Sequence, residues 1–202
     1  YVIIVNVIKI NIVFIPVFFI GILLISIAIH GILKFQPDCR GGGIPTTIAY
    51  IRGKLSLNWV KTVLVLPFSA LLTFFSGIPL GNEGPSVQLG CAAGKGMVSL
   101  LKKEDRESEK YIMTASASAG FAAATGAPLS ALVFAFEELY RSFSAVLLMA
   151  SAIAVGCSAA INNLLSMLFH IETKLFSFSL NNAMPLKYIW CAVLIGVVAG
   201  FA

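Results

Sequence analysis

The sequence predicts an all-α, polytopic membrane protein built from tilted and broken helices. Of its 202 residues, 58% are hydrophobic and only 11% are charged, and the mean hydropathy is +0.94. Soluble domains carry charge on about a quarter of their residues. The apolar residues form runs close to the roughly 20 residues that cross a bilayer, and glycines and prolines interrupt several of them. These interruptions predict helices that break within the membrane.

Five segments are long and apolar enough to be candidate spanning helices. They are residues 11–33, 62–80, 111–136, 143–168 and 183–202. Residues 102–110 hold four basic and four acidic side chains and must lie in water. This loop and the basic stretch 34–61 are the predicted cytoplasmic segments, because positive charge favours the inner face. The net charge of +5 is therefore attributed to topology, and no nucleic-acid partner is expected.

One carboxylate stands among helix-breaking residues directly after the run 62–80, in the sequence Gly81-Asn82-Glu83-Gly84-Pro85. Proline favours the first turn of a helix, so a helix is predicted to start here. A carboxylate at membrane depth is costly and marks a functional site by default. The alternative is that Glu83 only complements the helix dipole at an exposed end.

A second glycine-rich segment upstream repeats the arrangement, as Gly41-Gly42-Gly43-Ile44-Pro45. A helix that starts within a membrane has unsatisfied N–H groups and partial positive charge, which suit an anion. The two segments therefore offer two amide clusters that could face one ligand, and they indicate an anion pathway.

Glu137 and Glu138 close the apolar run 131–136 and are followed by Arg141. They can be interfacial charges at a helix end, tied to Arg141. Alternatively, burial beside a like charge suits one of them to proton transfer. The residues alone leave both interpretations open.

The segment 115–131 consists almost entirely of small residues, which allow membrane helices to approach closely. Gly126 and Pro128 predict a break there, where two short antiparallel segments could meet. Asn162 and Asn163, within the run 143–168, are expected to hydrogen-bond a neighbouring helix.

These motifs resemble the CLC chloride channels and chloride/proton antiporters. In that family, GSGIP and G(K/R)EGP start two broken helices whose N-termini coordinate chloride. The matching segments here are 41–45 and 81–85, and the run 115–131 with Phe136-Glu137-Glu138 is similar to the family's next helix pair. The resemblance implies that Glu83 is the gating glutamate, that Glu138 is the internal proton-transfer residue and that Glu137 is its neighbour. It also implies an anion-binding set, namely Gly42, Gly43, Ile44, Pro45, Gly81, Asn82, Gly84 and Pro85.

The implied activity is anion transport, as chloride/proton exchange. The alternatives are a passive channel of the same fold gated by Glu83 and a membrane scaffold that transports nothing. No enzymatic activity and no cofactor are expected, since chloride is the transported ligand. Gly42 replaces the family's serine and Asn82 replaces its lysine or arginine, so the choice among chloride, nitrate and other small anions stays open.

The resemblance covers the first of two inverted repeats and the start of the second, so residues 1–202 are expected to form part of a longer transmembrane domain with no soluble domain. No match to the family's GxFxP-type motif or pore tyrosine occurs. We expect a homodimer with residues 129–138 and 150–168 at its interface, and a multi-pass location in the lipid bilayer of the plasma (inner) membrane.

Overall fold

The computed structural model describes residues 14–39, 42–76, 81–102, 105–169, 190–191 and 194, and no strand occurs among them. Seven α-helices are present in this part of the chain. They are α1 Phe14–Phe35, α2 Ile44–Ile51, α3 Trp59–Phe75, α4 Glu83–Leu100, α5 Arg106–Thr125, α6 Pro128–Phe134 and α7 Ala145–Phe169. A 3₁₀ turn, Pro37–Cys39, follows α1, and a π-helical segment, Ala135–Tyr140, continues α6. The predicted all-α fold class is confirmed.

Three predicted spans correspond to single helices. The predicted segments 11–33, 62–80 and 143–168 correspond to α1, α3 and α7. At most of the ends that the structure describes, the predicted and observed bounds differ by only a few residues. Among the described residues, α7 alone is long and apolar enough to cross a bilayer, and shorter apolar stretches cover Phe19–Lys34 and Trp59–Phe75. Segment 183–202 lies almost wholly outside the described residues.

Segment 111–136 is not one spanning helix, and its prediction as a single span was wrong. The chain breaks where α5 ends at Gly126, which adopts the left-handed conformation with φ 68°. Pro128 then starts α6 in its first turn. Glycine tolerates this conformation and proline cannot continue the preceding helix, so the break predicted at these two residues is confirmed.

Helices α4 and α5 pack closely and run antiparallel. A Cβ added at Gly120 would collide with the carbonyl of Ser86, and one added at Gly90 would collide with the carbonyl of Ser116. One turn further along α4, a Cβ at Gly94 would lie 2.8 Å from the Ser116 hydroxyl. The absent side chains therefore let the two backbones touch at Gly90 and Gly120, as small residues do in membrane helices.

Helix α6 and the π-helical segment fold back along α5. The rings of Phe121 and Phe134 stack with their centroids 4.6 Å apart, and those of Tyr111 and Tyr140 are 5.5 Å apart. The later part of α5 thus meets α6 and the earlier part of α5 meets the π-helical segment, which is the predicted antiparallel arrangement.

Helix α7 then lies parallel to α5. Ser158 Oγ donates to the Ala119 carbonyl at 3.0 Å, and Asn162 Nδ2 donates to the Ala123 carbonyl at 3.2 Å. Both bonds join residues 39 positions apart, so the helices run in the same direction. The hydrogen bond predicted for Asn162 is confirmed.

The core of this bundle lies between α2, α4, α5 and the π-helical segment. Its fully buried members include Val87, Cys91, Ala117 and Leu139. By contrast, large apolar side chains are exposed on α1, α3 and α7, such as Phe74 at 78% and Met167 at 76%. An apolar outer surface of this kind is expected where lipid or further helices cover the bundle.

Candidate functional site

The two glycine-rich segments meet. A Cβ added at Gly43 would collide with the carbonyl of Gly84 and would lie 2.8 Å from its Cα. A Cβ added at Gly84 would collide with the carbonyl of Gly42. The backbone that starts α2 is therefore in van der Waals contact with the backbone that starts α4. Backbone segments about 41 positions apart in the sequence thus lie against each other.

The start of α2 is a tight turn centred on Gly43. Gly43 has φ 74° and ψ −57°, the values of a γ-turn that is strained for other residues. The Ile44 N–H donates to the Gly42 carbonyl at 2.8 Å across this turn. Thr47 donates both its N–H, at 2.9 Å, and its Oγ1 hydroxyl, at 2.8 Å, to the Gly43 carbonyl.

This turn engages one of the predicted anion donors, the Ile44 amide. The Ile44 amide is occupied by the chain's own carbonyl, so a bound anion must share or replace that bond. Pro45 has no N–H and serves to start the helix, as its position in the first turn shows. No side chain caps this helix end.

The start of α4 leaves backbone amides available. The first amide bonded into the helix is that of Ser86, which donates to the Asn82 carbonyl at 3.1 Å. The amides of Glu83 and Gly84 come before it and have no partner within the helix, while Pro85 has no N–H. The Asn82 side chain does not cap this end. The Glu83 side chain is exposed at the first position of the helix.

A cavity of about 410 Å³ opens beside the two helix starts. Gly43, Gly81, Asn82 and Pro85 line one end of it. Away from the helix starts, its wall is mainly apolar and is formed by α1, α3 and α4. Ser69, Thr73, Ser86 and Gln88 also line the cavity and add polar groups to that wall. The cavity therefore leaves open space beside the two helix starts.

Glu137 and Glu138 lie on the π-helical segment, a geometry that recurs at functional sites. Glu138 Oε1 lies 3.6 Å from Arg141 Nη2, so the ion pair suggested by the sequence is present. The two side chains are 43% and 57% exposed, and an exposed pair at this distance contributes little stability. Glu137 is exposed and lines a shallow pocket with Arg141.

The two acidic sites are well separated along the bundle. Ser86 meets Gly120 in the α4–α5 contact, so Glu83 lies level with the last turn of α5. The contact between Tyr140 and Tyr111 puts Glu138 level with the first turns of α5. At 1.5 Å per residue, the intervening length of α5 is roughly 18 Å. The structure does not bring Glu83 and Glu138 together.

Two features near the site were missed by the sequence analysis. The segment from Gly90 to Gly94 is a GxxxG motif, a known signal for close helix packing that predicts the contact with α5. Lys95, one residue later, forms an ion pair with Glu109 of α5. The Lys95 charge is therefore balanced by Glu109, and this ion pair lies away from the helix starts.

The chain is similar to known proteins over most of its length. Its sequence matches the family described as voltage gated chloride channel over residues 21–202. Its structure is similar to that of a slow cyanobacterial Cl⁻/H⁺ antiporter, with a TM-score of 0.71 and 22% sequence identity. This similarity covers 90% of the present chain and 43% of that protein, so the chain spans less than half of that protein's length. At this identity the structural likeness supports the fold, and the division into inverted repeats stays a prediction. The sequence match extends over nearly the whole chain, and on that basis the chain belongs to the voltage-gated chloride channel family.

Proposed function

We propose that the full-length protein exchanges chloride or another small anion for protons across a membrane. The observation that carries this proposal is the contact between the starts of α2 and α4, with Glu83 on one of them. Helix starts attract anions through free amides and the helix dipole. Family membership and the fold of a Cl⁻/H⁺ antiporter support the same activity.

Glu83 is the proposed gate. Its carboxylate is attached to the helix end whose amides would bind the anion, so it competes with the anion for the same groups. When Glu83 is protonated, its side chain loses that attraction and leaves the site to the anion. One proton taken up thus admits an anion, which couples the two movements.

Glu138 is the proposed internal proton-transfer group. Its loose ion pair with Arg141 leaves it open to solvent at one end of the bundle. The roughly 18 Å that separate it from Glu83 are too long for a direct transfer, so protons must move through intervening water. Glu137 is exposed beside it and is proposed to be a neighbouring charge without a direct role.

The anion-binding set is proposed to be Gly42, Gly43, Ile44, Pro45, Gly81, Asn82, Gly84 and Pro85. Within it, the amides of Glu83 and Gly84 are the readiest donors, because the Ile44 amide is engaged by Gly42. Gly42 offers no hydroxyl and Asn82 no charge. The anion selected is therefore one that backbone amides alone can hold, either chloride or nitrate.

The test is a flux measurement on the full-length protein in liposomes. An imposed chloride gradient should drive protons uphill in the wild type, recorded with chloride and pH electrodes together. Glu83→Ala should abolish proton movement while anion flux persists. Glu107→Gln is a matched control, because Glu107 is an exposed carboxylate at the start of α5, far from the helix starts. Continued proton pumping by Glu83→Ala would refute the gating role.

A passive channel is the second candidate, favoured by the ion pair between Glu138 and Arg141, because a glutamate held as an ionised partner of arginine need not carry protons. Chloride flux without proton movement in the wild type would establish it. Absence of flux for chloride, nitrate and fluoride would leave the scaffold alternative.

We further propose that the protein is a homodimer in the plasma membrane, with neither enzymatic activity nor a cofactor. The faces expected at the interface expose large apolar side chains, including Leu129, Val133 and Ile153. Disulfide trapping through cysteines placed on these faces in the cysteine-free full-length protein tests the dimer.

A further inference from the structure

One end of the bundle carries a concentration of positive charge. This is the end where α2 and α4 finish and where α3 and α5 begin. Five exposed basic residues lie there, namely Arg52, Lys54, Lys61, Lys102 and Arg106. They come from the α2–α3 and α4–α5 connections and from the starts of α3 and α5, so the fold brings them together from separate parts of the sequence.

Two contacts bring these segments together. The Arg106 guanidinium lies against the backbone of Gly53, where an added Cβ would be 2.7 Å from Nη2. A side chain at Gly53 is disfavoured both by this contact and by the backbone φ of 68°. Near the start of α3, the Trp59 ring packs against Gly96 of α4, where an added Cβ would be 2.7 Å from the ring.

The carboxylates nearest to these basic residues in the sequence are occupied elsewhere. The Asp105 carboxylate accepts the Ser108 N–H at 3.1 Å and holds the start of α5. Glu107 pairs with Lys110, and Glu109 pairs with Lys95. None of the salt bridges found between described residues involves the five basic residues. Residues 103–104, which lie outside the described part, add one positive and one negative charge.

Exposed apolar side chains lie directly beside the basic ones. Leu55 follows Lys54 and is 53% exposed, while Leu100 and Leu101 precede Lys102 and are 70% and 59% exposed. In a membrane protein, cations next to exposed apolar side chains and a tryptophan mark the level of the lipid headgroups.

We propose that this basic end binds the headgroup of an anionic phospholipid. The phosphate lies between the α2–α3 connection, with Arg52 and Lys54, and Arg106 at the start of α5. The acyl chains lie along Leu55 and Leu101. An arginine beside lysines suits a phosphate, since guanidinium can bind it with two hydrogen bonds. This site is separate from the anion pathway, because α2 stands between this end and the helix starts.

Native mass spectrometry of the full-length protein tests the proposal. Phosphatidylglycerol and phosphatidylcholine with identical acyl chains are added in equal amounts, and the bound lipids are counted. Wild type should retain phosphatidylglycerol preferentially. Each Lys or Arg near an anionic surface contributes about fivefold in affinity, so R52Q/K54Q should weaken phosphatidylglycerol binding at least tenfold and leave phosphatidylcholine unchanged.

Lys34→Gln is the matched control, because Lys34 is exposed at the end of α1, outside the basic end. It should retain wild-type binding. Equal loss in Lys34→Gln and R52Q/K54Q would overturn the site, as would equal retention of both lipids by the wild type. Displacement of phosphatidylglycerol by inorganic phosphate at equal concentration would also overturn it, since the apolar contacts would then contribute nothing.

A second measurement leaves all the basic residues in place. Bromine on lipid acyl chains quenches tryptophan on contact, and Trp59 lies within the basic end. In a variant that keeps Trp59 as its only tryptophan, brominated phosphatidylglycerol should quench more strongly than brominated phosphatidylcholine. Equal quenching by the two lipids would refute headgroup selection.

Discussion

Alanine should not be tolerated at Gly43 or Gly84, whereas the neighbouring Gly42 should accept it. A methyl group on Gly84 would collide with the Gly42 carbonyl, and a methyl group on Gly43 would lie 2.8 Å from the Gly84 Cα. An ordinary carbon contact is about 3.5–4.0 Å. Alanine at either position must therefore push the starts of α2 and α4 apart by roughly 1 Å, because backbone cannot move aside as a flexible side chain can.

The size of the effect follows from this displacement. Overpacking of a fitted contact costs about 1–3 kcal/mol. Gly43→Ala has a further cost of about 1–2 kcal/mol for a side chain in the left-handed region, given its φ of 74°. An ion site displaced by 1 Å can lose about 100-fold in rate. We expect anion flux to fall by about that factor in Gly84→Ala and by more in Gly43→Ala.

The assay is chloride efflux from liposomes containing the full-length protein, with thermal unfolding of the purified variants measured alongside. Gly42→Ala is the matched control, since its Cβ would meet only Pro45 Cδ, at an ordinary 3.6 Å. It should keep flux and stability close to those of the wild type. Wild-type flux in Gly84→Ala, or equal losses in all three variants, would show that the contact between the helix starts does not shape the site.

Three further predictions follow from the same contacts. Gly42→Ser should fit without strain and add one hydroxyl donor, so the affinity for chloride should rise about tenfold, the lower value of one hydrogen bond to a charged group, in flux assays at varied chloride concentration. Glu138→Gln should lower proton flux with anion flux retained, while Glu137→Gln changes neither; equal effects of both on proton flux would contradict the assignment. Gly120→Ala, whose methyl would collide with the Ser86 carbonyl, should destabilise the protein by about 1–3 kcal/mol in thermal unfolding, whereas Gly156→Ala, with no atom within 4 Å of its Cβ, should not.

The helix starts could be predicted from sequence because their signals are local. Glycine before proline sets the backbone at Gly43 and Pro45 whatever surrounds them, and the same holds at Gly84 and Pro85. The repeated arrangement suggested that both segments serve one ligand. The break at Gly126 was predicted for the same reason.

The features that escaped prediction depend on contacts between distant segments. Apolar periodicity shows which face of a helix is buried, but not the partner or the register, so the contact of Gly120 with Ser86 could not be derived. The π-helical geometry of Ala135–Tyr140 and the engagement of the Ile44 amide by Gly42 also arise from tertiary packing. The GxxxG motif at Gly90 and Gly94 is the exception, since it is a local signal that would have predicted close packing.

The charge balance at the helix starts is consistent with the proposal that the Glu83 carboxylate controls one anion. Each helix N-terminus presents about half a positive elementary charge, so α2 and α4 together offer about one. That is enough to neutralise a single monovalent anion, and Glu83 is itself such an anion. Because Arg141 and Lys95 are both paired with carboxylates, neither supplies a second free charge at this point. Under the proposed mechanism, a transported anion and an ionised Glu83 would therefore be alternatives at these helix starts, and protonation of Glu83 would allow the exchange between them.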